Sequence, residues 1–436
     1  MASGQSTASC RVYLVIVSWN LNCYEASWPF RFAIMTVLLW GMLQPAFVHA
    51  ETTFIPSAVA SGRYDSNIYF APSSVLPPGT DTRDFAGTVG GGVQLLHKSR
   101  DVEASFTGGA DFNFYAINTP LNFVTTRVDS YVILDRWIER LAKGARLTVG
   151  ENFRYTPESP GFLSGGKGPV VDDPFLRGIQ TFRANTFSTT TSVNGLYPVF
   201  KALALQGDYA FSILRVGSIL VLTTTGAPTF FDTTVHNWSA GPNLALTRED
   251  RISLLYRQRL ISQEITTGGG QSINTNTQSL SANYTRVMPD WNFNLEGGAT
   301  LVEPASQWFP TASLRFSTNP ERSTTVELVG SRQAAPSFFF VAGALISNVG
   351  QVQITHRASE RLTLGGSVSY ALNQLATDTS LTFQNLTAAA GLNYKLTRTI
   401  AVDLFYSYTN LNNGFTTPGY QISRNVVGFA LTAQWK

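Results

Sequence analysis

The sequence predicts an all-β chain that closes into a transmembrane, antiparallel, up-and-down barrel of about 18 strands, with 16 as the alternative. Three observations predict it. Apolar side chains recur at every second position over segments longer than the ~5 to 6 residues usual in soluble strands. The connections alternate between short polar turns and long Gly/Pro/Ser/Thr-rich stretches, the pattern of a barrel with tight turns at one rim and loops at the other. The last segment, Asn425 to Lys436, is itself such a strand: Val427, Phe429, Leu431, Ala433 and Trp435 share one parity, and Gly428, Ala430, Thr432 and Gln434 the other. With no later strand to cover its free edge, it must pair back to the start of the chain.

Composition agrees. Charged residues make up only 14% of the 436 and the formal net charge is +3, which argues against a nucleic-acid partner. Residues 1–50 are expected to be an extension and a cleaved signal. Arg31 is its basic flank, Phe32 to Leu43 its apolar core, and Val48-His49-Ala50 a small-residue cleavage site before Glu51. That core is too short for a membrane-crossing helix, which needs roughly 20 residues. The thirty residues ahead of it read as translation from a start codon upstream of the true one, with an ordered N-terminal element as the alternative. Cys10 and Cys23 both lie in the removed part, so the mature barrel, 51–436, is expected to form no disulfide and to bind neither a thiolate metal nor a cofactor.

Taken in order, Tyr64, Ser66, Ile68 and Phe70 alternate with Arg63, Asp65, Asn67 and Tyr69. Phe85, Gly87, Val89, Val93 and Leu95 then alternate with Asp84, Thr88, Gly92 and Gln94, and Val102, Ala104, Phe106, Ala110, Phe112 and Phe114 with Glu103, Ser105, Thr107, Asp111 and Asn113. Short turns follow at Lys98-Ser99-Arg100, Arg248-Glu249-Asp250, Met288-Pro289-Asp290, Thr318-Asn319-Pro320, Ser359-Glu360 and Thr397-Arg398, with less sharp ones near Lys143-Gly144 and Pro198. Long segments at 72–82, 157–177, 215–232, 266–272, 334–343, 373–380 and 411–420 fall between them. A soluble β-sandwich also alternates, but it explains neither the export signal nor the aromatic placement. Tyr197, Tyr284, Trp291, Phe316, Tyr394 and Trp435 lie on the apolar parity at short-turn ends, as an interfacial girdle requires.

The polar parity should line the lumen. It carries Arg63, Asp65, Asp84, Glu103, Asp111, Arg127, Asp129, Arg146, Arg154, Arg251, Arg257 and Arg259. A lipid-facing Arg at the membrane midplane costs ~2 to 4 kcal/mol, so selection against that cost leaves this sorting. Arg136 and Arg286 break parity near strand ends, Glu151 breaks it in mid-strand, and Pro242 interrupts a strand; a bulge would repair either of the last two. The acidic residues of the first four strands and the arginines of the fifth and ninth would either face each other as a transverse field or brace neighbouring strands as salt bridges. His97, His236 and His356 sit in different hairpins without a nucleophile or acid at motif spacing, which speaks against a catalytic site.

Two stretches carry a resemblance. The closing strand resembles the C-terminal strand of bacterial outer-membrane barrels, which ends on an aromatic residue; here Lys436 follows Trp435. Tyr64-Asp65-Ser66-Asn67-Ile68-Tyr69 resembles the first strand of β-barrel porins of bacterial outer membranes, many associated with exopolysaccharide systems. The resemblance implies an outer-membrane location, with membrane lipid and the barrel-assembly machinery as partners. It further implies a channel for passive passage of small polar solutes or saccharides, the alternative being a ligand-binding or structural barrel without an open pore, and with less support an outer-membrane hydrolase. In general porins the third loop folds inward; by that resemblance Glu158, Asp172 and Asp173 in loop 157–177 would form a constriction, the alternative being a surface loop over the barrel mouth.

Overall fold

The computed structural model describes residues 51–157, 183–219, 230–265, 272–303, 306–318, 322–337, 343–378, 380–414 and 420–435. The expected signal segment, both cysteines and most of loop 157–177 lie outside them. The barrel belongs to the compact unit Ala50–Lys436.

Eighteen strands are described. They are β1 (Glu51–Asp65), β2 (Asp84–Lys98), β3 (Glu103–Tyr115), β4 (Phe123–Ile133), β5 (Arg146–Thr156), β6 (Ala184–Pro198), β7 (Leu203–Ile219), β8 (Phe231–Ala245) and β9 (Asp250–Ile265). They continue with β10 (Ser272–Val287), β11 (Trp291–Glu303), β12 (Gln307–Thr318), β13 (Thr324–Ser337), β14 (Gly343–Arg357), β15 (Leu362–Leu375), β16 (Thr382–Lys395), β17 (Ile400–Asn413) and β18 (Tyr420–Gln434). Each pairs antiparallel with its sequence neighbours, and β1 pairs with β18 from Ser57↔Gln434 to Asp65↔Val426, so the sheet closes. Strands of this length, most of 13 or more residues, exceed the ~9 to 11 needed to cross a membrane at a tilt.

The alternation resolves into two faces. Phe85, Val89, Phe112, Leu254, Val368, Leu404, Phe429 and Leu431 are all exposed, as a lipid-facing band must be in a chain viewed without its membrane. The inward rows between them are polar over most of their length. Near the long-loop rim they turn apolar and buried. One cluster there joins Leu214 of β7 and Val235 of β8 to Leu411 of β17 and Ile422 of β18, with Phe70, Ala71 and Leu76 among its members. In a ring of 18 strands β7 and β8 lie across from β16 and β17, so this cluster spans the lumen.

Four sequence expectations are corrected. The first alternating run does not continue as strand to Phe70: β1 ends at Asp65, and Ile68 and Phe70 are buried inside the barrel rather than facing lipid. Glu151 needs no bulge. The ladders of β5 keep a constant register on both sides, and the Glu151 carboxylate accepts hydrogen bonds from the Thr189 and Thr191 hydroxyls. Pro242 makes no bulge either; the β8–β9 ladder skips Gly241 and Pro242 and resumes in the same register at Asn243↔Ser253. Arg136 is not in a strand at all but in the single helical turn α1 (Asp135–Ile138), where it donates to the Arg100 carbonyl at 2.9 Å.

Candidate functional site

The lumen wall is built from inward polar side chains that pair with near neighbours. Arg127 meets Asp111 at 3.3 Å, Arg257 meets Glu296 at 3.3 Å and Arg315 meets Glu327 at 3.0 Å. Asp208 accepts from Ser239 at 2.8 Å, Asp403 from Asn393 at 2.7 Å, and Asp129 from the Asn152 amide. These links run between adjacent strands or one strand beyond. Asp111, Asp129, Arg127 and Arg257 of the two predicted sets are thus held by local partners. Glu103, Arg146 and Arg251 stand exposed at the short-turn rim, while Arg63 and Arg154 are half-buried. Arg63 reaches the Tyr115 hydroxyl at 3.5 Å.

At the long-loop rim the chemistry changes. Asp65 and Asp84 are fully buried and hold structure rather than line open solvent. Arg424 of β18 clasps Asp65 through two parallel bonds, Nε to Oδ1 at 3.0 Å and Nη2 to Oδ2 at 2.5 Å. Asp84 accepts from the backbone amides of Ile117 and Asn118 and from the Asn118 side chain. Between these two carboxylates the chain runs inward. Asn67 fixes the turn: its amide donates to the Ala71 carbonyl at 2.9 Å while its carbonyl accepts from the Ala71 amide at 3.3 Å. Ile68 then packs against Ala86, Tyr115 and Leu121, and Phe70 and Leu76 enter the spanning cluster. Arg183, itself buried, lies over the rings of Tyr115 and Phe123 and donates to the Tyr115 hydroxyl at 2.6 Å. Burial, partly offset by the Arg183 charge, pushes the Tyr69 phenol above its ordinary range, so it stays neutral and donates to Asn118 at 2.8 Å.

A second element narrows the mouth. The β12–β13 ladder stops at Ala312↔Arg332, although both strands continue. Residues 333–337 of β13 stay paired to β14 but leave the wall. This hairpin end is a tongue held from β9. Arg259 donates to the Ala334 carbonyl at 2.7 Å; Gln263 donates to the Ser337 carbonyl and accepts from the Gly343 amide at 2.6 Å. Ala334, Ala344 and Ile346, which share the lipid-facing parity, are instead buried with Val302 and Phe309 of β11 and β12. The tongue thus lies behind its neighbours' inner faces. Sequence reading missed Arg183, Gln263, Arg332 and Arg424; for Gln263 and Arg424, inward parity close to a long connection was the available signal. The predicted constriction residues Glu158, Asp172 and Asp173 lie outside the described residues, and the described inward elements are the 66–76 segment and the tongue.

On the outer face Tyr197, Tyr394 and Trp435 are exposed at short-turn ends, Trp291 lies 6.1 Å from Phe316 between ring centres, and Tyr284 donates to Asp250 at 2.6 Å. Arg286 on this face meets Glu249 at 3.8 Å and Asp250 at 3.7 Å. Each of the three described histidines has a hydroxyl neighbour in its own hairpin: His97 with Thr52, His236 with Tyr209, His356 with Thr324.

Residues 309–435 match a family model described as "Putative beta-barrel porin 2". No curated protein matches the chain. Among solved structures, OccAB3 of Acinetobacter baumannii is 13% identical, with 88% of this chain and 99% of that chain covered and a TM-score of 0.41. A BenF-like porin from Pseudomonas fluorescens Pf-5 is 12% identical, with 89% and 100% covered and a TM-score of 0.43. A mutant of the ferric enterobactin receptor PfeA from Pseudomonas aeruginosa is 10% identical, with 89% and 81% covered and a TM-score of 0.43. The matched stretch runs from β12 to β18 inside the closed sheet. The chain is a closed, 18-stranded antiparallel barrel whose last seven strands are similar to that family.

Proposed function

We propose that the barrel is a passive channel for small polar solutes whose mouth is closed at rest by the 66–76 segment and the tongue. The observation that carries this is the change of chemistry along the lumen. Paired charges and hydroxyls line the short-turn part, which hydrates readily, whereas the three buried apolar clusters formed by described residues all lie at the long-loop end. An apolar layer crossing a pore excludes water and ions until it moves. The same layer supports a second reading, a closed structural or ligand-binding barrel. Passage of saccharides and a link to exopolysaccharide rest only on the resemblance of Tyr64 to Tyr69, and the reading is of a conduit rather than an enzyme. Export by cleavage after Ala50 is part of the proposal and would make Glu51, the first residue of β1, the mature N-terminus.

Single-channel recording in planar bilayers tests the reading. Asp65 and Asp84 face each other in the β1–β2 ladder, so a short glycine turn can replace residues 67–82 without parting the strands. The deletion variant is expected to conduct several-fold more than the parent. Absence of conductance in both, with both folded, would favour the structural barrel.

A further inference from the structure

Arg183 immediately precedes β6 and is only 4% exposed. Its guanidinium carbon lies 4.8 Å from the centre of the Tyr115 ring and 4.6 Å from that of Phe123. Both rings stand on the inward parity of Asp111 and Arg127, so the charge is seated on the lumen side of β3 and β4. Aromatic faces attract a cation but carry no net charge, so this seat orients the guanidinium without neutralising it.

The two edges of that guanidinium differ. Nη1 donates to the Tyr115 hydroxyl at 2.6 Å and reaches the Ile68 carbonyl at 3.5 Å. Nε and Nη2 are buried with no hydrogen-bond partner among the described residues. These two nitrogens form the edge that takes a carboxylate side-on, and Arg424 uses the same edge on Asp65. The two fully buried carboxylates of this rim are committed elsewhere, Asp65 to Arg424 and Asp84 to the amides of Ile117 and Asn118. A second guanidinium approaches the same place, with Arg63 Nη2 3.5 Å from the Tyr115 oxygen. Two cations thus meet at one neutral phenol. Burying a charge with open donors is costly, and an oxyanion on the Arg183 edge removes that cost. The 66–76 segment covers this edge of the lumen: Ile68, also 4% exposed, packs against Tyr115, with Tyr69 and Phe123 beside it.

We propose that Arg183, with Arg63 and the Tyr115 hydroxyl, is a binding site for the oxyanion group of a small solute, a carboxylate or a phosphate, and that Ile68 covers it in this structure. The oxyanion takes the Nε–Nη2 edge by a forked contact once the 66–76 segment withdraws. A solute that binds only the withdrawn state shifts the equilibrium toward it by its difference in affinity for the two states. This opening effect rests on the closing role of the segment proposed above; the binding itself does not.

The test uses the purified full-length barrel in detergent at constant ionic strength, with binding read by isothermal titration calorimetry. The probes are acetate, inorganic phosphate and acetamide, which keeps the shape of acetate without its charge. Acetate and phosphate are expected to bind and acetamide not. Arg183→Gln should weaken acetate about tenfold, and Arg183→Lys, which keeps the charge and loses the fork, should retain part of the affinity. The variant with a glycine turn in place of residues 67–82 lacks the cover and should bind acetate about tenfold tighter than the parent. Should Arg183→Gln not fold, Arg183→Met serves: it fills the seat on the rings without a charge and should keep the urea midpoint while losing acetate. Equal binding of acetamide, parental acetate binding in the folded Arg183→Gln or Arg183→Met variant, or no gain on removal of the cover would each overturn the proposal. In planar bilayers acetate should lengthen the open times of the parent and not those of Arg183→Gln; open times unmoved by bound acetate would overturn the coupling to opening. Arg183-dependent binding, in a barrel whose deletion variant conducts no more than the parent, would support the site and overturn the closing role of the segment.

Discussion

Phe70 holds a left-handed backbone, φ 49°, a conformation that costs a non-glycine residue about 1 to 2 kcal/mol. Its ring is only 9% exposed in the spanning cluster and lies 5.7 Å from the Arg424 guanidinium. Burial of a phenylalanine contributes roughly 1.5 to 3 kcal/mol, so packing inside the lumen outweighs the strain and the turn persists. Asp65 sets where that turn begins. Replacing Asp65 with Asn removes one partner of a buried, doubly bonded ion pair, and such losses cost about 3 to 5 kcal/mol. Asp65→Asn is therefore expected to lower the urea midpoint and to release the 66–76 segment, seen as longer open times in single-channel traces. An unchanged midpoint together with unchanged open times would remove Asp65 from this role.

At the scale of elements, the tongue depends on one side chain. Gln263, fully buried, joins the two ends of the β13–β14 hairpin as an extra rung and also reaches Thr233 at 3.4 Å. Gln263→Leu keeps the volume but removes the partner of the Gly343 amide, at about 1 to 3 kcal/mol. The expected outcome is a tongue that leaves the lumen more often, measured as faster amide exchange at 343–346 and higher mean conductance. Protection equal to the parent's at those amides would show that Arg259 suffices alone. The β12–β13 ladder ends beside Pro310 and Pro336, as the gap in the β8–β9 ladder falls at Pro242.

For the whole molecule, closure rests on β18. Val427, Phe429, Leu431 and Trp435 are each between 44% and 55% exposed on the lipid side while the opposite edge of β18 completes the ring with β1. Changing Phe429 and Trp435 together to Asp places charge in the apolar band and in the interfacial girdle. The double variant is expected to lose heat-modifiable migration and recovery in the outer-membrane fraction; parental behaviour in both would separate assembly from this strand's lipid face.

The period-2 pattern determined the strands, their two faces, the order of short and long connections and the closing strand, because each depends on residues adjacent in the chain or on the fixed alternation of a pleated backbone. Tertiary structure decided the rest. Asp65 and Arg424 lie 359 residues apart, and Gln263 meets Gly343 across 80, so no local spacing announces either contact. The hexapeptide Tyr64 to Tyr69 alternates like a strand, yet only its first two residues remain in β1. Closing the ring brings the inward apolar side chains of β7, β8, β17 and β18 around one space, and burying them there is worth more than extending β1 by five further residues.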